Sequence, residues 1–346
     1  MTTITTDRLT MTDEKITKIG IVGAGTWGSA LAQAISRNTD DVSILTRNQE
    51  QADEINNQHT NSRYLQDIPL NENIKATTDA QAIAANSDAL FLVTPAQHMR
   101  AAVEAMQPVL PTGTPLIICS KGIEMATGML MSQVVDELAP ENTYLVLSGP
   151  NFADEIAKGL PAATTLATSN SAVGKRVAQA IFSKTFRPYV TSDPIGAEIG
   201  GAIKNVIAIA CGIVYGSDLG ENARAAIMTR GMAEIKRMGK ILGARPETFL
   251  GLSGLGDLTL TCNSMKSRNF SLGVARGRGE SLNEILAKRY NVTEGVATSS
   301  AVLDFAKKHA IDMPICAAVN ETLHKGVTVK DTIDALMSRP LTQETL

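Results

Sequence analysis

Between Ile199 and Val214 the only polar side chains are Lys204 and Asn205, and on a helix Lys204 would share its face with Gly200, Gly201, Ala208 and Cys211. No acid lies on that face. An ammonium so placed is partly desolvated, which lowers its pKa toward the range useful for proton transfer, and the small neighbours leave room for a ligand. Spacing alone equally allows a lysine whose stem packs on apolar surface while its head reaches water. Downstream, the glycine-dense run from Gly251 to Gly256 ends in Asp257, an acid able to orient a lysine or a substrate hydroxyl, or simply to cap the next element. Ser267-Arg268-Asn269 then clusters a hydroxyl, a guanidinium and an amide, a set suited to a phosphate monoester; the plainer alternative is a solvated loop arginine. Lys121 and Ser148-Gly149-Pro150-Asn151 each follow a short apolar run, at the strand ends where open α/β sheets bind ligands. The second group also reads as a helix start, with Ser148 or Asn151 as cap and Asp154 and Glu155 in the first turn.

Near the N-terminus, Gly23-Ala24-Gly25-Thr26-Trp27-Gly28 follows the apolar run Lys18–Val22 and opens the alanine-rich stretch Ser29 to Ala34. In that context the first glycine allows the tight turn, the second lets backbone approach a pyrophosphate, and the third lets helix and strand pack closely, with helix N-terminal amides facing the anion. Trp27 sits beside this cradle, as a cofactor contact or as packing on the helix. At the end of the second strand the chain has Arg47, where an acid would select the ribose 2′-hydroxyl of NAD. A guanidinium there can pair with a 2′-phosphate or stack on adenine, so NADP is acceptable, although a plain surface arginine fits the position too.

These groups need a scaffold, and the pattern around them supplies one. Residues 1–16 are polar and without periodicity and read as a loose extension. From 17 to 193, strand-like runs (18–22, 42–46, 89–94, 116–120, 144–148 and 163–168) alternate with helical patterns, as in a doubly wound α/β domain; 186–190, interrupted by Pro188, reads as an edge strand. From 194 to 346 the apolar positions recur at helical spacing through 195–215, 223–242, 282–287 and 299–309. Ile195 to Val214 is about as long as a membrane span, but Glu198, Lys204 and Asn205 favour a buried helix of a soluble protein. A net charge of −3 from 32 basic and 35 acidic residues gives nucleic acid or an anionic membrane nothing to hold. Cys119, Cys211, Cys262 and Cys316 form no CxxC pair, and His59, His98, His309 and His324 form no pair or triad, so neither a disulfide framework nor a metal site is expected. With no apolar run at the N-terminus, the expected location is the cytoplasm.

Together, seven segments in order resemble the bacterial NAD(P)-dependent glycerol-3-phosphate dehydrogenases over about Lys18 to Met337. They are the cradle, Ser120-Lys121-Gly122, Ser148-Gly149-Pro150, Gly200 to Val206, Asn222-Ala223-Arg224, Gly254 to Leu258 and Ser267-Arg268-Asn269. The resemblance implies a Rossmann domain followed by an all-helical domain like that of 6-phosphogluconate dehydrogenase, with the site between them, and a homodimer. It implies Lys204 as proton donor and acceptor, and Lys121, Gly149, Asp257, Ser267, Arg268 and Asn269 as substrate-site positions. Thr26, Trp27, Arg47, Ala153, Val292 and Glu294 match contacts to NAD(H) or NADP(H), with Lys121 and Arg268 shared between the two ligands. Tyr64 falls where an aromatic ring approaches the adenosine. One departure is visible, since after Ser-Gly-Pro many members carry Thr or Ser where this chain has Asn151.

The implied reaction is reversible hydride transfer between nicotinamide and C2 of dihydroxyacetone phosphate, giving sn-glycerol 3-phosphate for glycerophospholipid synthesis, without a metal. Two rivals are a reductase of small keto or hydroxy acids, separated by its indifference to phosphate, and a non-catalytic NAD(P)H sensor, which needs the cradle but no proton donor.

Overall fold

The computed structural model describes residues 15–289 and 293–340. Among the described residues eight strands form a single sheet: β1 (Lys18–Val22), β2 (Asp41–Leu45), β3 (Ile74–Thr77), β4 (Ala89–Leu92), β5 (Leu116–Ile118), β6 (Tyr144–Ser148), β7 (Ala162–Ala167) and β8 (Phe186–Thr191). Their spatial order is β3-β2-β1-β4-β5-β6-β7-β8, parallel throughout except for the antiparallel β6–β7 pair. The order reverses between β1 and β4, so a crevice opens at their carboxyl ends, where doubly wound sheets take dinucleotides. Apolar clusters cover both faces, one from Leu31, Ile35 and Ile55 and the other from Met99, Val103 and Val134, which is why the central strands read as unbroken apolar runs.

The sheet holds one strand that the sequence pattern does not reveal. β3 contributes only Ile74 as a fully buried side chain, too little for a periodic signal. Its edge is closed by Asn56, whose side-chain amide accepts from Ala76 N at 2.8 Å and donates to Ala76 O at 3.0 Å, mimicking a further strand. β8 is the opposite edge and carries Pro188, as expected for a residue with no ladder donor. The fold also begins before Thr17, because Ile16 is buried in the core under the sheet and the Thr17 and Lys18 amides both donate to Asp88 Oδ2.

Beyond the sheet the described residues are helical. The central helix Pro194–Gly216 is capped by Asp193, which accepts from Gly196 N at 3.0 Å, and is apolar on every side because other helices surround it. By length and composition it could cross a membrane, yet its most apolar window is wholly buried inside the protein. Around it lie Gly220–Ile241, Asp257–Cys262, Arg268–Gly277, Leu282–Ala287, Glu294–Lys308, Pro314–His324 and Val329–Met337. Arg268–Gly277 escapes sequence reading because Gly273 and Gly277 make it a poor helix former. Those same glycines let it lie against the central helix at backbone contact: a Cβ on Gly273 would stand 2.1 Å from Ile209 O, and one on Gly212 would stand 2.1 Å from Phe270 O. This packing sets where Arg268 stands relative to Lys204.

Candidate active site

The cradle is built as its sequence implies. Gly23 has φ +119°, in the region that favours glycine, and a Cβ on Gly28 would lie 1.8 Å from Gly23 O, so the turn and the helix Thr26–Ile35 can touch only without side chains. Gly28→Ala should therefore destabilise the fold by roughly 3 kcal/mol and depress dinucleotide binding with it; a thermal melt matching wild type would contradict this close packing. At Gly25, by contrast, a Cβ would meet nothing within 4 Å. The helix behind it has no side-chain cap and no acid in its first turn, so its N-terminal amides stay available to an anion. A pyrophosphate fits this open, donor-lined place, and side chains hold the loop from outside: Gln51 and Asn61 donate to Ala24 O at 2.8 and 3.0 Å, and Asn61 also donates to Ser29 Oγ at 2.7 Å. Neither residue stands out in the sequence, since isolated amides carry no spacing signal.

Cofactor candidates lie around this crevice. Thr26 and Trp27 are half-buried at the helix start, with the Trp27 side chain beside the Cys119 thiol just beyond β5. Arg47 is exposed just beyond β2. Tyr64 is half-buried, three residues after the loop-holding Asn61, and its ring is capped by Arg63 with 5.5 Å between guanidinium carbon and centroid. Ala153 begins the short helix Ala153–Ala157 after β6. Val292 lies outside the described residues.

At the carboxyl end of β6 and the middle of the central helix, three charged side chains converge. Asp257 is 1 % exposed; its Oδ1 accepts from Lys204 Nζ at 2.5 Å and its Oδ2 from Lys121 Nζ at 2.5 Å. The segment Leu252–Gly256 forms one turn of π-helix leading into Asp257–Cys262, and the wide turn directs the carboxylate back at the lysines rather than into a cap. Thr261, one helical turn beyond Asp257, accepts from Lys204 Nζ at 2.7 Å and donates to Asp257 Oδ1 at 3.1 Å. Its i+4 spacing from Asp257 is the only sequence signal for it, and a weak one, because a threonine so placed is usually inert. Lys121 also donates to Gly149 O at 3.4 Å, which brings the end of β6 into the cluster.

The electrostatics follow from two ammoniums sharing one buried carboxylate. Burial lowers the Lys204 pKa to about 8; Asp257 pulls it back up, but Lys121 opposes it with a second positive charge. Burial pushes Asp257 the other way, and the two lysines overcome this and hold it below the usual carboxylate range. Lys204 is thus a desolvated amine able to change protonation near neutral pH.

Gly200 and Gly201 do not hold space for a ligand beside Lys204, contrary to the expectation from spacing. A Cβ on Gly200 would lie 2.7 Å from Ser253 O and one on Gly201 would lie 2.8 Å from Ser148 Oγ, so both glycines admit neighbouring protein. Solvent reaches the cluster instead on the Lys121 side, where that side chain is 22 % exposed.

The remaining candidates divide. Arg268 is exposed, yet nearby protein removes enough water from around it to lower its pKa, while Glu294 pulls upward. Burial raises Glu294 in turn, opposed by the Ala96 N–H that donates to its Oε1 at 3.3 Å and by Arg268. Asn269 joins the parts: its Nδ2 donates to Asn205 Oδ1 at 2.9 Å, next to Lys204, and its Oδ1 accepts from Gly295 N at 3.0 Å, next to Glu294. Ser267, by contrast, accepts from Phe270 N at 3.2 Å and caps the helix that Arg268 opens. Asn151 is no cap, for the helix Ala153–Ala157 has no side-chain cap at all; its Nδ2 donates to Thr164 Oγ1 at 3.0 Å, and its Oδ1 has no partner among the described residues. Among the described residues no three His, Cys, Asp or Glu side chains group as a metal site.

The model of the NAD-dependent glycerol-3-phosphate dehydrogenase N-terminus matches residues 18–174, and that of its C-terminus matches 193–334. This chain belongs to that family. A glycerol-3-phosphate dehydrogenase [NAD(P)+] of Parvibaculum lavamentivorans is 50 % identical over 328 residues, covering 95 % of this chain and 98 % of the relative. Another of the same name, from Maricaulis maris, is 47 % identical over 327 residues, with 94 % and 98 % covered. The crystal structure of glycerol-3-phosphate dehydrogenase from Coxiella burnetii superposes with a TM-score of 0.90 at 35 % identity, covering 94 % of this chain and 99 % of that one. Family membership makes the chain an NAD(P)-dependent oxidoreductase, and the sheet followed by a helical half is the family's architecture.

Proposed function

We propose that this chain reversibly reduces dihydroxyacetone phosphate to sn-glycerol 3-phosphate with NAD(P)H. The observation that carries the reading is the buried Asp257 carboxylate shared by Lys204 and Lys121. When bound, the nicotinamide supplies or takes the hydride. As the substrate carbonyl carbon accepts hydride, negative charge develops on its oxygen; the protonated Lys204 ammonium stabilises that charge and delivers the proton. Asp257 and Thr261 hold the amine in place, and Lys121, at the solvent-touching edge of the cluster, approaches the substrate. Arg268 takes the phosphate as the guanidinium of the cleft, with Asn269 beside it and Gly149 and Asn151 lining the end of β6. Ser267 supports Arg268 by capping its helix.

The cradle, with Thr26, Trp27 and Ala153 along the crevice, Arg47 and Tyr64 toward the adenosine, and Val292 and Glu294 from the helical half, is the proposed cofactor site. Arg47 in place of an acid makes NADPH acceptable alongside NADH. A homodimer and a cytoplasmic location, with the four buried cysteines as free thiols, complete the proposal. The domains are taken as 17–193 and 194–346, after an N-terminal extension.

Mixing the protein with NADPH and dihydroxyacetone phosphate and following nicotinamide absorbance tests the reading. NADH and a non-phosphorylated ketone are the parallel arms. Oxidation only with the phosphate ester supports it; equal oxidation with the plain ketone favours a keto-acid-type reductase, and none despite NADPH binding favours a sensor. Arg268→Ala should raise KM for the phosphate ester by roughly 10- to 100-fold, as expected for losing charge-assisted hydrogen bonds, with a smaller fall in kcat. An unchanged KM would count against the phosphate role.

A further inference from the structure

Thr298 is 1 % exposed, yet its hydroxyl has no hydrogen-bond partner among the described residues. A helical threonine can satisfy its hydroxyl on the carbonyl three or four residues back, as the neighbouring Ser299 does on Val296 O at 2.7 Å. Thr298 does not. An unmade buried hydroxyl is uncommon enough to call for a partner that arrives from outside the chain.

One helical turn earlier stands Glu294, and the two side chains face the same place. A Cβ on Gly122 would lie 3.5 Å from Glu294 Oε2 and 3.5 Å from Thr298 Oγ1. Glu294 Oε1 is occupied by the Ala96 amide just beyond β4, and Gly122 directly follows Lys121 beyond β5. An anionic acceptor and a hydroxyl donor therefore converge at the carboxyl edge of the sheet, next to the lysine that binds Asp257. The chemical group that needs one of each, side by side, is a primary carboxamide.

We propose that Glu294 and Thr298 together hold the carboxamide of the nicotinamide, Glu294 accepting from its N–H and Thr298 donating to its carbonyl oxygen. This rests on the dinucleotide reading above and extends it to a residue, Thr298, with no role in the resemblance. A carboxylate alone reads only the N–H half of the amide. The added hydroxyl reads the other half and so sets which way the amide, and the ring bearing it, is turned.

The test compares binding of NADPH with binding of 2′-phospho-ADP-ribose, which lacks the nicotinamide, by calorimetry on the full chain. Thr298→Val, nearly isosteric, should weaken NADPH about tenfold, the effect of one lost hydrogen bond to a well-packed ligand, and leave the fragment unchanged. Thr298→Ser should restore NADPH binding. NADPH binding by Thr298→Val equal to wild type, or equal weakening of both ligands without rescue by serine, would overturn the inference and leave the dinucleotide reading standing. A wild-type chain that binds neither ligand would overturn both.

Discussion

Lys204→Ala should bind NADPH about as tightly as wild type and turn over roughly a thousandfold more slowly, since the lysine acts on charge that appears only in the transition state. Steady-state kinetics beside a binding isotherm separates the two effects, and near-normal kcat would sink the proton-donor assignment. The wild-type pH dependence should follow from Lys204 titrating at about 8. Ketone reduction needs the ammonium, so its kcat should fall as pH rises through that value; alcohol oxidation needs the free amine and should rise over the same interval. Folding stability carries the same signature. The folded-state pKa lies below the unfolded value of about 10.4, so the unfolded chain binds more protons between the two. The contribution from Lys204 is therefore fully present above the unfolded value and lost as pH falls through about 8. Denaturation of wild type and Lys204→Ala side by side should show their stability difference shifting toward wild type across that window as pH rises.

Asp257→Asn should lower kcat roughly a hundredfold while moving the alkaline limb of ketone reduction to lower pH. The reason is electrostatic. With the carboxylate neutral, Lys204 and Lys121 remain as two buried or half-buried ammoniums with no anion between them, and the one more deeply desolvated loses its proton first. A merely structural asparagine substitution would reduce activity without displacing the limb, so the pH profile is the deciding readout. Breaking a buried ion pair from one side is also destabilising by about 3–5 kcal/mol, and a Tm drop should accompany the kinetic change. If Asp257→Asn kept both the wild-type limb and the wild-type kcat, Asp257 would not be positioning the lysine.

What could be read from the linear chain is what local physics decides. The cradle from Gly23 to Gly28 is legible because all three glycine requirements fall within six residues of one strand-to-helix turn. The central strands are legible because burial on both faces forces continuous apolar runs, and the helix around Lys204 because burial on all sides does the same at greater length. A lone lysine in that helix was therefore visible as unusual, and the ordered set of seven motifs carried the family. Tertiary structure decided the chemistry. The acid that serves Lys204 comes from 53 residues away, and the second lysine that shares it lies 136 residues from that acid, so no spacing rule connects the three. Gly200 and Gly201 looked like space for a ligand, but helix packing uses that space for Ser253 and Ser148; a small residue shows only that something comes close, not what. Ser267 and Asn151 are polar groups whose partners depend on which backbone or side-chain atoms the fold brings within 3.2 Å: Ser267 caps the helix that Arg268 opens, and Asn151 meets Thr164 instead of the helix start its sequence position suggests. Thr298, too, stands out only once burial is known, because a hydroxyl becomes a demand for a partner when water can no longer reach it.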